Sequence, residues 1–324
     1  MAGNALWFEF HTAKREYRPG EIISGVVHVD ADAPTRCDAL TLSWYWTTHG
    51  RGNLAVGTPL STVLFAGEWQ AGHHAIPFEV VCPSLPLTYR GPLLNIDWIL
   101  EARADVPWAI DPKAKIDFSV LAPANCRPEV RRTAAPTRAR TTTILIFGLA
   151  LSLGGLGTAL ASVLAVARGQ IDDLSGLILL ALAGLLVWPG WKLLGPRVAR
   201  KAFDRLDSKV ATTRDELSVT LEFTSRKPIE SLIASLVAEE VVASGHGTDR
   251  SVHTHRIHEQ HRLPTVGPAG EHRVEIVYPM PDFDQIGWSF ATSDNALNWY
   301  VELNFDIEGW PDLIERIELQ ITPA

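Results

Sequence analysis

Trp98–Ile99–Leu100–Glu101–Ala102 and Trp299–Tyr300–Val301–Glu302–Leu303 decide the fold. Around the first, Ile96, Trp98, Leu100 and Ala102 alternate with Asn95, Asp97 and Glu101. Around the second, Trp299, Val301, Leu303, Phe305 and Ile307 alternate with Tyr300, Glu302, Asn304 and Asp306. A period of two is the mark of a strand with one buried face. Leu40, Leu42, Trp44 and Trp46 alternate with Thr41, Ser43, Tyr45 and Thr47 in the same way. Turn residues such as Pro19–Gly20, Pro83, Pro86 and Gly91 punctuate the N-terminal strands, and no long amphipathic helix precedes Arg127. Short alternating strands between regular turns imply a β-sandwich.

The two stretches belong to a repeat. Ala71–Gly72–His73–His74–Ala75–Ile76 matches Ala269–Gly270–Glu271–His272–Arg273–Val274 as A-G-x-H-x-aliphatic, and the tryptophan strand follows in each copy. Asp105, Pro107, Trp108 and Asp111 then answer to Asp306, Trp310, Pro311 and Asp312. Each copy closes on a last strand, 116–120 and 317–321. Four correspondences in order mark a duplicated sandwich.

The N-terminal copy carries a more specific resemblance. Glu16–Tyr17–Arg18–Pro19–Gly20–Glu21 followed by Gly25–Val26–Val27 resembles the Y-x-P-G-E…G-x-V opening of the arrestin-like N-terminal domain. Gly72–His73–His74–Ala75–Ile76–Pro77–Phe78–Glu79 resembles that family's G-x-H-x-[FI]-P-F strand, and Pro83…Pro86…Gly91 its following loop. The likeness covers residues 8–121 well and 215–322 more loosely. It implies a mainly β chain of two arrestin-like sandwiches in tandem. No segment matches the family's polar core or receptor contacts, so receptor and phosphate sensing are not carried over.

Between the copies, residues 142–167 contain no charge over 26 positions, and 174–191 form a second uncharged run. About 20 apolar residues cross a bilayer, and soluble helices need polar positions on an outer face. A transmembrane hairpin, with helices at about 142–167 and 174–194, is therefore expected. Arg127, Arg131, Arg132, Arg138 and Arg140 precede it, and Lys192, Arg197, Arg200, Lys201 and Arg205 follow. Basic flanks predict a multi-pass protein of the inner (plasma) membrane with both termini cytoplasmic. Arg138, Arg140, Trp188, Trp191 and Lys192 would sit at the membrane interface. The expected order is a sandwich at 1–125, a basic linker at 126–140, the hairpin at 141–195, a second basic linker at 196–210 and a sandwich at 211–324.

Candidate chemistry is sparse. His253, His255, His258 and His261 form the densest titratable cluster, and alternation puts His253 and His255 on one face. Arg250, Arg256 and Arg262 crowd them and oppose a cation, so an exposed polar strand is the expected reading and no metal, cofactor or catalytic residue is assigned. Asp282, Asp284, Asp294 and Asp306 lie among turn residues. Cys37, Cys82 and Cys126 form no CxxC and are expected reduced. A net charge of −8 argues against nucleic acid as a partner. Ala150, Gly154, Thr158 and Ser162 recur every four residues, a spacing that lets helix backbones approach. This stripe serves packing within the hairpin first and self-association second.

These readings lead to a non-enzymatic membrane scaffold or adaptor that offers two cytoplasmic sandwiches to protein partners, with the lipid bilayer as a further partner. An accessory subunit of a membrane transporter or enzyme, and a metal- or ligand-sensing membrane protein using the 253–261 segment, are the alternatives.

Overall fold

A computed structural model describes residues 5–124, 126–133, 141–168 and 173–324, without the side chains of 141–152, 173, 176 and 184–194. The N-terminal lobe is built from β1 (Ala5–Phe10), β2 (Glu16–Tyr17), β3 (Ile22–Ala31), β4 (Thr35–Gly50), β5 (Leu60–Trp69), β6 (Gly72–Val81), β7 (Tyr89–Arg90), β8 (Leu94–Asp105) and β9 (Lys113–Val120). Strand β10 (Pro128–Arg132) leads to helices α1 (Thr141–Ala167) and α2 (Asp173–Arg200). The C-terminal lobe contains β11 (Phe203–Thr212), β12 (Glu216–Ser225), β13 (Ile229–Ser244), β14 (Ser251–Arg262) and β15 (Gly270–Pro279). It ends with the short helix α3 (Phe283–Ile286), then β16 (Phe290–Ala291), β17 (Asn295–Ile307) and β18 (Leu313–Pro323).

Each lobe is a sandwich of a three-stranded sheet on a larger one. The orders are β1-β3-β6 over β2-β9-β8-β4-β5 in the first, and β11-β12-β15 over β10-β18-β17-β13-β14 in the second. The strands follow the same order in both lobes except at one edge, where β2 runs parallel to β9 but β10, which precedes β11 in the chain, runs antiparallel to β18. Alternation supplies both cores: β8 buries Leu94, Ile96, Trp98, Leu100, Ala102 and Ala104, and β17 buries Leu297, Trp299, Val301, Leu303, Phe305 and Ile307.

The described residues of the segments read as basic linkers lie largely in regular elements. Residues 128–132 form an edge strand on β18 of the C-terminal lobe, where Arg132 donates to Ser208 O at 3.0 Å. Helix α2 runs on to Arg200 and gives way to β11 at Phe203. The base of α2 leans on the C-terminal lobe through Arg200–Glu315 at 3.5 Å.

The structure corrects the membrane reading. Helices α1 and α2 exist and pack against each other, but among the described residues no helix is long and apolar enough to cross a membrane. A span needs about 20 consecutive apolar residues. The last turn of α2 carries Arg197 and Arg200. The transmembrane hairpin, the integral-membrane scaffold with its membrane-bound alternatives, and the inner-membrane placement with cytoplasmic termini fall together. Arg138 and Arg140 lie outside the described residues, as do the side chains of Trp188, Trp191 and Lys192.

Candidate functional site

The histidine segment is an edge strand. His253, His255, His258 and His261 all lie on β14, which pairs only with β13 among the described strands. They do not converge. A register shift opposite Ala238 and Glu239 breaks the alternation between His255 and His258. His258 tilts onto the Trp299 ring at 5.8 Å, and burial pushes its imidazole pKa down. His261 Nδ1 and Ser235 Oγ share a hydrogen bond of 2.7 Å. Arg256 is held by Glu259 at 2.6 Å and Glu302 at 3.2 Å. Among the described residues no group of three or more His, Cys, Asp or Glu side chains is placed to hold a metal ion.

The four-residue stripe of α1 is only partly a packing seam. Ala150 falls outside the described side chains. A Cβ on Gly154 would meet nothing within 4 Å, so this glycine faces open space. Thr158 Oγ1 donates to Gly154 O at 2.8 Å and Ser162 Oγ to Thr158 O at 2.7 Å, the usual way a helix satisfies such hydroxyls. Ser162 is buried, as is Ala183 on α2.

The most elaborate polar arrangement lies between the lobes, and sequence reasoning missed it. Glu240, on β13, is fully buried. Its carboxylate accepts from Tyr89 Oη at 3.0 Å, Leu93 N at 2.9 Å and Leu94 N at 3.3 Å, all in the other lobe. Burial beside this carboxylate pushes the Tyr89 phenol pKa up, which keeps it a donor. Asn295 reaches the opposite way, donating to Thr48 Oγ1 at 3.1 Å and Asn53 O at 2.7 Å. Asn53 in turn donates to Gly245 O and Asp294 Oδ2, both at 3.1 Å. Around these polar groups Tyr89, Leu94 and Ile96 pack with Val242 and Leu297, and Trp46 meets Phe290 edge-on at 5.5 Å. Buried polar groups matched this fully fix one arrangement of their partners, so the lobes form one body. Beside the seam, Arg18, Leu87, Tyr89, Phe283, Trp288 and Phe290 line a cleft of about 470 Å³. The signal in the sequence was the acidic pair Glu239–Glu240 inside the apolar run of β13.

The outer edges of the two large sheets differ. Among the described strands β5 pairs on one side only, with β4. It contains no Lys, Arg or Pro, and Leu60 and Val63 are exposed on it. Natural sheets guard open edges with charge, proline or bulges; both outer edges carry register shifts against their neighbours, but β14 adds Arg256, Glu259 and Arg262 where β5 carries only Glu68. On the outward face beside β5, Ala39, Thr41, Ser43 and Tyr45 floor an open groove of about 590 Å³.

Neither a family model nor a curated protein matches the chain. Among solved structures, that of Spo0M, a sporulation control protein from Bacillus subtilis, is similar over 98% of this chain and 91% of that chain, at 12% identity and a TM-score of 0.32. A likeness of that size carries no functional argument.

Proposed function

We propose that the chain is an arrestin-like tandem sandwich acting as a non-catalytic scaffold for protein partners, with the open edge of β5 as its docking strand. The family reading rests on the Tyr17–Gly20 and Gly72–Phe78 motifs and on two lobes of one strand order. The observation that carries the docking reading is an outer edge with a single charge, no proline and exposed Leu60 and Val63. An extended segment adding to β5 gains main-chain hydrogen bonds, while Leu60 and Val63 offer apolar contacts. The clamp of Glu240 and Asn295 suits a scaffold, because a preset geometry lowers the ordering cost of binding. The non-catalytic reading is supported by where the titratable groups sit. Burial pushes Cys37 up to about 11 and Cys82 up to about 12, which keeps both thiols protonated and poor nucleophiles. The test is quantitative recovery of partners on the full chain and on Leu60→Lys/Val63→Lys. The variant is expected to lose the partner set at unchanged thermal stability; equal recovery would remove β5 from the reading.

A second surface favours self-association. Leu153, Leu156, Leu160 and Val163 on α1 and Leu174, Leu177 and Ile178 on α2 are exposed, and a contiguous apolar patch marks an interaction site. Copies of the chain meeting through this hairpin would cover it. Light scattering on Leu156→Gln/Leu160→Gln is expected to show a smaller assembly than the parent, and identical masses would reject it.

A further inference from the structure

The outward face of the β1-β3-β6 sheet carries a chain of hydrogen-bonded side chains with no part in the seam or the β5 edge. Register sets Trp7 opposite His28 and Asp30 opposite His73. Alternation puts Trp7, Glu9, His28, Asp30 and His73 on one face. His28 Nε2 lies 2.8 Å from Glu9 Oε2, His28 Nδ1 lies 3.1 Å from His73 Nε2, and His73 Nδ1 lies 3.0 Å from Asp30 Oδ1. The Trp7 ring lies nearly parallel to both imidazoles, at centroid distances of 5.1 and 5.4 Å. His28 is mostly covered, with 12% of its side chain exposed, and His73 is half-exposed.

We propose that His28 Nδ1 and His73 Nε2 form a binding site for one divalent transition-metal ion of the imidazole-preferring class, Zn²⁺ or Cu²⁺. Ionised carboxylates only accept hydrogen bonds, so His28 Nε2 and His73 Nδ1 are the protonated nitrogens of their rings. The other two nitrogens face each other across a single shared proton. A metal-binding imidazole has this arrangement, one nitrogen free for the ion and the other donating to a carboxylate that fixes the ring. Two nitrogens on a tetrahedral ion, each about 2.0 Å from it, stand about 3.3 Å apart, close to the separation found here. On binding, the ion replaces the shared proton, which passes to solvent, while the hydrogen bonds to Glu9 and Asp30 remain. Water fills the other positions, because no third ligand converges among the described residues. His74 is not a ligand: its Nε2 pairs with Gln70 O at 2.7 Å on the other face. Imidazole nitrogen rather than oxygen selects against Mg²⁺ and Ca²⁺. The β14 histidines have no comparable pair of mutually facing nitrogens.

The test is calorimetric titration of the full chain with Zn²⁺ alone. One equivalent is expected to bind the parent chain and to be missing in His28→Ala/His73→Ala. Should that variant unfold, His73→Gln, on a half-exposed position, gives the same comparison. Glu9→Gln is expected to bind one equivalent about tenfold more weakly through loss of ring orientation. Cu²⁺ is expected to quench tryptophan emission in the parent chain by a fraction that disappears in Trp7→Phe. Equal stoichiometry and affinity in the parent and the histidine variants would overturn the site, and undiminished affinity in Glu9→Gln would overturn the role given to the carboxylate.

Discussion

In the N-terminal lobe, Trp98 Nε1 donates to Pro86 O, twelve residues back, at 2.8 Å; in the C-terminal lobe, Trp299 Nε1 donates to Gly287 O, also twelve residues back, at 3.1 Å. Val120 N donates to Thr88 Oγ1, and Ile321 N to Ser289 Oγ, each across 32 residues. Trp108 and Gly309 occupy the same turn, with φ of 61° and 68°. All these pairs keep one constant spacing along the chain, so the lobes share a hydrogen-bond skeleton as well as a strand order. They part company at the seam. Thr48 pairs with Ile96 and Glu240 with Leu297, which makes Thr48 and Glu240 counterparts. Each is buried, and each reaches the start of the tryptophan strand in the other lobe: Thr48 meets Asn295, and Glu240 meets Leu94. The duplication thus left a pseudo-symmetric contact whose two halves have different chemistry, a hydroxyl–amide bond on one side and a carboxylate with three donors on the other.

The shared part of the skeleton is the first place to break. Trp98 and Trp299 are both buried, the second completely. Replacing either with Ala removes a large side chain and its buried donor, at about 3–5 kcal/mol. Thermal unfolding should fall for both, with Trp299→Ala at least as severe as Trp98→Ala. A harmless change at either position would break the equivalence.

The seam sharpens the comparison. Glu240→Ala leaves the Tyr89 hydroxyl and two backbone N–H groups without an acceptor, and should cost about 3 kcal/mol. Thr48→Ala removes one hydroxyl that accepts from Asn295 and Ala55, and should cost about 1 kcal/mol. Gly91 supplies a control, because a Cβ there would strike the Glu240 carboxylate and the Tyr89 hydroxyl. Gly91→Ala should therefore be costly in the parent chain and much less so beside Glu240→Ala. Additive losses, measured by denaturant unfolding of the single and double variants, would show that the carboxylate is not what fills this space.

What was legible follows from what a linear pattern encodes. Alternation located β4, β8 and β17, and repetition of A-G-x-H and of the tryptophan strand exposed the duplication, because both signals are local. Glu240 left a local trace, an acid inside the apolar run of β13, but its role was not legible because its three donors lie in the other lobe. The His28–His73 pair was missed for the same reason: His73 and His74 do point to opposite faces, and the partner of His73 sits on β3, where only register brings it close. The histidines of β14 stood out by density, yet a register shift and the neighbouring Trp299, Ser235 and Glu302 disperse them. The uncharged runs of α1 and α2 gave helices correctly but a membrane span wrongly.

The smallest effect is expected at the shared turn. A side chain in the left-handed region costs about 1–2 kcal/mol relative to glycine, and Trp108 is the only described non-glycine residue with positive φ. Its indole is fully exposed, so no packing offsets that cost. Trp108→Gly should relieve the strain but enlarge the unfolded ensemble, for a net gain of about 0.5 kcal/mol. Gly309→Ala should lose about 1 kcal/mol, and purely through conformation, because a Cβ at Gly309 meets nothing within 4 Å. Opposite signs at these two positions, read from denaturant midpoints at constant slope, would show that the turn asks for the same backbone in both copies. A loss at Trp108→Gly would instead reveal a contact made by that exposed indole.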